Sequence, residues 1–246
     1  MRFADKRVEV TGAAGGFGRA ICHQFASEGA KVVVSDIDLV AAEALAGELD
    51  GAMAHQLDVT DEDATKAMMD HVAAEWGGID VIVANAGLPH RVKHTIEMDT
   101  ADFDFMWAIN VRSIFFAAKY GVPHMAPGSS IVITASISGV NIRPNTVPYG
   151  ASKSAAIAMM KGLAIELAPN IRVNAVNPVS SPTGFDLNAV GTENLHPKVE
   201  AAVIKGIPMG RRATPEDVAQ SIAFLASDDA EFLTGVGLPV DGGRSA

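Results

Sequence analysis

Tyrosine occurs only twice in the 246-residue chain, and one of the two, Tyr149, stands four residues before Lys153 in the stretch PYGASKSAA. On a helix that spacing puts a phenol and an ammonium one turn apart on the same face. A free phenol titrates near ~10 and is a poor base at neutral pH. A cation about 4 Å away contributes roughly 4 kcal/mol at an effective dielectric near ~20, comparable to about three pKa units. The pair therefore has the makings of a proton-transfer group that works near neutral pH. Taken alone, the same spacing also fits an ordinary surface helix whose Tyr packs while its Lys faces water. The rest of the chain must decide.

A second chemical signal lies at the other end. The stretch TGAAGGFGRA places Gly12, Gly16 and Gly18 where a strand turns tightly into a helix. Missing side chains there let backbone N–H groups and the helix N-terminus approach a pyrophosphate. Asp36 closes the next strand-like run about twenty residues on, where a carboxylate accepts hydrogen bonds from an adenosine ribose; a helix cap or a solvated loop acid is the plain alternative. The same carboxylate repels a 2′-phosphate, Ile37 follows it, and Ala13, Ala14 and Gly15 put no cation in the turn. Arg19 lies beyond the last glycine and reads as a surface residue. NAD is expected rather than NADP.

These groups need a scaffold. RVEVTG, KVVVSD, MAHQLDV, IDVIVANAG, SSIVITAS and IRVNAVNP read as strands, with GVGLPVDGG supplying a last one, and Ala-rich helical stretches alternate with them. Strands that are apolar nearly throughout, separated by helices, imply a parallel sheet covered on both faces. Nothing resembles a linker, so residues 1–246 are expected to form one α/β domain. Glu9 is out of place in a strand buried on both faces, since an unpaired carboxylate there is costly. From Ser180 to Ile207 the pattern loosens around Pro182, Gly184, Gly191, Pro197 and Gly206. A long irregular segment in a compact domain suggests a lid over a site or else disorder. Thr214, with Pro215 and Asp217 behind it, reads as a helix cap.

Composition narrows the function. A formal charge of −10 argues against nucleic acid and anionic membranes, whose partners need a basic face. No apolar run approaches a membrane span, and the N-terminal residues lack the apolar core of a secretory signal. A single cysteine forms no internal disulfide and no Cys-based metal site. His90 and His94 have a helical metal-ligand spacing, but they fall in a probable loop without a third ligand, so no metal is expected. A cytoplasmic protein is the natural reading.

Taken in order, TGAAGGFG, NAG (Asn85 to Gly87), Asn110, Ser136, YGASK (Tyr149 to Lys153) and VDGG resemble the short-chain dehydrogenase/reductase family across essentially the whole chain, including thirteen residues from Ser136 to Tyr149. The resemblance implies a Rossmann-type doubly wound parallel sheet of about seven strands with helices on both faces. It implies an NAD-dependent enzyme that interconverts a secondary alcohol and a ketone by hydride transfer. Tyr149 would be the general acid/base, aided by the positive nicotinamide. Ser136 would orient the substrate oxygen, and Lys153 would also bridge the nicotinamide ribose. Asn110 would hold a water of the proton relay. Cofactor contacts carried over are Gly12, Gly16, Phe17, Gly18, Asp36, Ile37, Asp58, Val59, Asn85, Gly87, Tyr149, Lys153, Pro178, Val179 and Thr183. For Asp58 a helix cap competes, and Val179 departs from the glycine commonest at its position. Relatives of this kind are commonly tetramers, so a homotetramer is expected.

Substrate walls are expected from LPHRVKH, SISGVNIRPN and the 180–207 segment. They offer His90, Ser138 and Asn141 as polar handles beside Phe185 and other apolar groups. Arg91 and Arg143 are the only guanidinium groups nearby, which disfavours a highly charged substrate. Three other readings stay open. One is an NADP-dependent 3-oxoacyl reductase, against which Asp36 and Ile37 count. Another is a non-catalytic dinucleotide-binding protein, which would tolerate loss of Ser136, Tyr149 or Lys153. The third is a dehalogenase-like lyase, whose relatives lack the glycine turn and the lysine.

Overall fold

The computed structural model describes residues 1–192 and 195–246, with Phe185 described by its backbone alone. In chain order the main elements are β1 (Arg7–Thr11), α1 (Gly16–Ser27), β2 (Lys31–Asp36), α2 (Leu39–Ala46), β3 (Met53–Gln56), α3 (Glu62–Trp76) and β4 (Ile79–Ala84). They continue with α4 (Thr100–Trp107), α5 (Ser113–Gly121), β5 (Met125–Thr134), α6 (Val147–Leu167), β6 (Ile171–Pro178), α7 (Phe185–Val190), α8 (Pro197–Lys205), α9 (Pro215–Ala226) and β7 (Gly237–Val240). The seven strands form one sheet in the order β3-β2-β1-β4-β5-β6-β7. Every pairing is parallel. The order reverses between β1 and β4, and a crevice opens beside such a switch point at the strands' carboxyl ends. The expected doubly wound sheet is the observed one.

Alternation along the strands divides the core. Val8, Val10, Val32, Val34 and Val132 face α1, α2 and α9, whose Ile21, Phe25, Leu45 and Ile222 are fully buried against them. Val33, Ile82, Ile131 and Ile133 face the other way, onto Met68, Met69, Ile114 and Met160 from α3, α5 and α6. Burying both faces in this way supplies the main driving force for folding.

Glu9 is the exception, fully buried opposite Val33 and Ile82 on the second face. Neither carboxylate oxygen has a well-formed hydrogen bond, although the Ser35 hydroxyl acts on it weakly. Burial pushes its pKa up to about 8, so it sits in the core as a neutral acid. The folded pKa lies above the unfolded one, so stability is retained below the unfolded value and declines as pH rises toward 8. Through this one group the wild type is expected to lose about 2 kcal/mol between pH 6 and 8 relative to Glu9→Gln. Urea unfolding of both proteins at the two pH values checks this; parallel pH dependences would show that Glu9 is not a buried acid.

Two local expectations were incomplete. Residues 101–125, ADFDFMWAINVRSIFFAAKYGVPHM, read in the sequence as one long helical stretch, which is broken at Ala108–Arg112, where the chain widens into a π-turn between α4 and α5. The segment 180–207, read as irregular, carries α7 and α8; its Glu193, Asn194 and Phe185 side chain lie outside the described residues. Thr214 caps α9 as expected, in a reciprocal box with Asp217. Among the described residues, no helix is long and apolar enough to cross a membrane.

Candidate active site

The glycine turn connects β1 to α1 at the switch point. Gly12 and Gly16 take left-handed φ values of 59° and 52°, which side chains rarely adopt. A Cβ on Gly18 would run into the Gly12 carbonyl oxygen. No side chain caps α1, so the first-turn N–H groups of that helix are left to a ligand. Asp36 Oδ2 accepts from the Ala14 amide at 2.9 Å, which fixes the carboxylate beside the turn. The cap of α2 is Asp38, so the capping alternative for Asp36 falls away. Asp58 is likewise no cap: Asp61 caps α3, and Asp58 accepts from Thr60 in a short turn of its own. Ile37 is exposed beside Asp36, and Val59 packs on the edge of the core. A bare turn with free N–H groups and a facing carboxylate is what a dinucleotide's pyrophosphate and ribose require.

Across the crevice, Asn85 ties the strand ends together. Its amide Nδ2 donates to the Thr11 and Gly12 carbonyls, and its Oδ1 accepts from Thr134. A Cβ on Gly87 would lie 3.1 Å from Lys153 Nζ, so the ammonium stands close against this backbone. Thr183 lies over the turn, 3.4 Å from where a Cβ on Gly16 would be. Pro178 ends β6, and Val179 is buried with Ile137, Ile207 and Ala213. The backbone at Val179 stays out of the left-handed region, so a side chain in place of glycine causes no strain there.

The proton-transfer group brings together three residues from two parts of the chain. Ser136 follows β5, while Tyr149 and Lys153 come from α6, with Pro148 in that helix's first turn. All three are buried. Lys153 Nζ donates to the Thr134 carbonyl at 2.9 Å and lies 5.9 Å from the Tyr149 ring centre. Burial lowers the Lys153 pKa to about 8. The expected depression of the Tyr149 phenol is not what the protein alone produces. Burial pushes it up from its ordinary value, opposed by a hydrogen bond with Ser136. Desolvation disfavours both charged forms and outweighs the pair's attraction, leaving the phenol protonated.

Asn110 sits in the π-turn. Its Oδ1 accepts from Leu88 N at 2.8 Å, and its Nδ2 donates to the Leu88 carbonyl and to Ser152 Oγ. The side chain thus locks the loop after β4 onto α6.

A cavity of about 230 Å³ opens beside these groups. Phe17, Thr183, Ser136, Ser138, Tyr149 and His90 are on its walls. Asn141 is exposed and does not line it, and nothing is described of the Phe185 side chain. Arg143, Asp186 and Val203 also line it, all three from segments named as substrate walls in the sequence, though Asp186 and Val203 are not singled out there. No periodicity marks them, because they reach the cavity through loop and short-helix geometry.

A family model described as enoyl-(acyl carrier protein) reductase matches residues 12–245. The 4-formylbenzenesulfonate dehydrogenase of Comamonas testosteroni is 40% identical, covering 96% of both chains. The 3-oxoacyl-[acyl-carrier-protein] reductase of Thermotoga maritima is 38% identical, covering 99% of both. Among solved structures, a 3-ketoacyl-(acyl-carrier-protein) reductase from Brucella melitensis complexed with NADH superposes with a TM-score of 0.91 at 35% identity, again over 99% of each chain. With the ordered motifs, the seven-stranded parallel sheet and these full-length matches, the chain belongs to the short-chain dehydrogenase/reductase family, whose oxidoreductase chemistry on alcohols and ketones uses a nicotinamide dinucleotide.

Proposed function

We propose that the protein is an NAD(H)-dependent dehydrogenase interconverting a secondary alcohol and a ketone, with Tyr149 as its general acid/base. The observation that carries this reading is the buried Ser136–Tyr149–Lys153 group, whose Ser136 and Tyr149 line one cavity beside the uncapped glycine turn. When bound, the nicotinamide supplies or accepts the hydride. Ser136 Oγ, which accepts from the Ser138 amide and hydrogen-bonds with Tyr149, would turn its own proton to orient the substrate oxygen. Tyr149 Oη donates a proton to that oxygen in reduction and takes it back in oxidation. A phenol kept protonated by burial is in the form that reduction needs. Lys153 stays largely cationic at pH 7 with a pKa near 8, and it steadies negative charge as the phenol gives up its proton. Asp36 and Ile37 support NAD over NADP.

The test is a panel of secondary alcohols and ketones with NAD(H), followed by the absorbance of the reduced cofactor. Absence of turnover with every member, in a protein that binds NADH, would leave the non-catalytic reading standing. The relative named for 4-formylbenzenesulfonate makes sulfonate- and carboxylate-bearing members worth including.

We also infer a homotetramer. Met106 and Phe116 are buried within the subunit, whereas Phe105 and Phe115 on α4 and α5 remain half exposed, and aromatic groups left out on adjoining helices suit a symmetric helix–helix contact. Sedimentation at micromolar concentration should give about four times the 25.6 kDa chain mass. The monomer mass would refute assembly.

A further inference from the structure

The charges on the cavity wall do not balance. Arg143 and Asp186 are the charged side chains that line it, with His90 and Tyr149 as further titratable groups. Asp186 is already matched: it is buried in a 2.6 Å ion pair with Arg212, whose own side chain is also buried. Arg143 makes no ion pair or side-chain hydrogen bond among the described residues. It stands on the turn before α6, where Thr146 donates to its carbonyl from both backbone and side chain. Much of the residue is exposed, while Ser136 and Tyr149 are buried. The cavity therefore has a buried reacting end and a cationic mouth. Arg143 is held below its ordinary pKa by partial burial and by the nearby charge of Arg244, so a second cation adds to the field there.

A second observation points to the same ligand. His90, 8% exposed, lines the cavity, and neither ring nitrogen makes a well-formed hydrogen bond, although the Asn145 backbone acts on it. Burial lowers its pKa, so the ring is neutral near pH 7 and offers one N–H donor. A buried polar group without a good partner is costly unless a ligand supplies one. Asn145 is two residues from Arg143, so the imidazole and the guanidinium belong to adjoining parts of the wall.

We propose that the substrate carries an oxoanionic group, a carboxylate or a sulfonate, recognised by Arg143 with His90 as the accompanying neutral donor. The planar guanidinium matches such a group with two parallel hydrogen bonds. Apart from the ion-paired Asp186, the rest of the wall is apolar or uncharged, with Val92, Ile137, Val179 and Val203 suited to a compact hydrocarbon body. This reverses the expectation that a charged substrate is poorly served. The proposal rests on the cavity being the substrate site of the dehydrogenase described above.

Binding of unreactive probes to the enzyme–NADH complex tests recognition separately from turnover. Cyclohexanecarboxylate and benzenesulfonate should each bind at least tenfold more tightly than cyclohexanecarboxamide by calorimetry. Arg143→Gln should weaken acid binding ten- to a hundredfold, as loss of a charged hydrogen bond implies. Arg143→Lys, which keeps the charge, should retain part of it, and added salt should narrow the acid–amide gap. Equal binding of acid and amide to the wild type would overturn the proposal, as would full acid binding by a folded Arg143→Gln protein. If Arg143→Gln fails to fold, the wild-type comparison still decides. Turnover of neutral alcohols without acid preference defeats the oxoanion site alone. Tight acid binding without turnover of any alcohol supports the site and defeats the dehydrogenase reading instead.

Discussion

Replacing Tyr149 by Phe is expected to lower kcat for alcohol oxidation and ketone reduction by roughly 10³-fold, within the range that positioned proton transfer contributes. The change removes one oxygen from a buried position on α6 and leaves the ring to pack as before. Ser136 loses a hydrogen-bond partner but keeps its contact with the Ser138 amide. Lys153 keeps its bond to the Thr134 carbonyl, since that contact does not involve the phenol. NADH affinity should therefore stay within about threefold of wild type by fluorescence titration, a difference of well under 1 kcal/mol. Steady-state kinetics with any alcohol or ketone that the wild type turns over provides the check. A Phe variant with near-wild-type kcat would show that the proton passes through another group, and the assignment of Tyr149 would fail. Lys153→Met should behave differently, lowering kcat and weakening the cofactor together, because its ammonium stands against Gly87 at the crevice between glycine turn and phenol.

How far the sequence anticipates this arrangement depends on the kind of signal involved. The strands announce themselves through runs such as Val32-Val33-Val34, which must be buried on both faces, and their alternation with helices leaves little choice of topology. The glycine turn is legible because its requirement is local: only a residue without Cβ fits at Gly18. Ser136, Tyr149 and Lys153 are legible as an ordered set whose members mean little singly. Three things were not legible. The π-turn at Ala108–Arg112 has no composition of its own, and the bonds that hold its Asn110 come from Leu88 and Ser152 in other parts of the fold. α7 and α8 are short and sit between Gly and Pro residues, so turn signals masked them. The state of Tyr149 depends on burial, which spacing cannot supply: four residues of separation set the reach of Lys153 but not the desolvation that outweighs it.

Cofactor selectivity is the second large effect expected. The wild type should use NAD(H) with kcat/KM at least a hundredfold above that for NADP(H), and Asp36→Ala should reduce the gap to about tenfold or less. The carboxylate is held by the Ala14 amide and stands beside the glycine turn, so it cannot swing away without losing a charge-assisted bond. A 2′-phosphate carries a charge of about −1.5 to −2 at pH 7. At about 4 Å from one carboxylate it is disfavoured by roughly 2 kcal/mol in a water-like dielectric and by more where the site is partly shielded. Each 1.4 kcal/mol is about a factor of ten, so repulsion alone gives roughly thirtyfold, and the ribose hydrogen bonds that only NAD can form add to it. Ile37 and the alanines of the turn offer no cation to offset the phosphate. Arg19, the nearest alternative in the sequence, is engaged with Glu48 in a 2.6 Å ion pair on α1's outer side. Asp36→Ala removes both the repulsion from NADP(H) and the ribose contact to NAD(H), so the two specificity constants should move toward each other from opposite directions. Equal use of both cofactors by the wild type, or an Asp36→Ala protein with an unchanged ratio, would show that this carboxylate does not read the ribose.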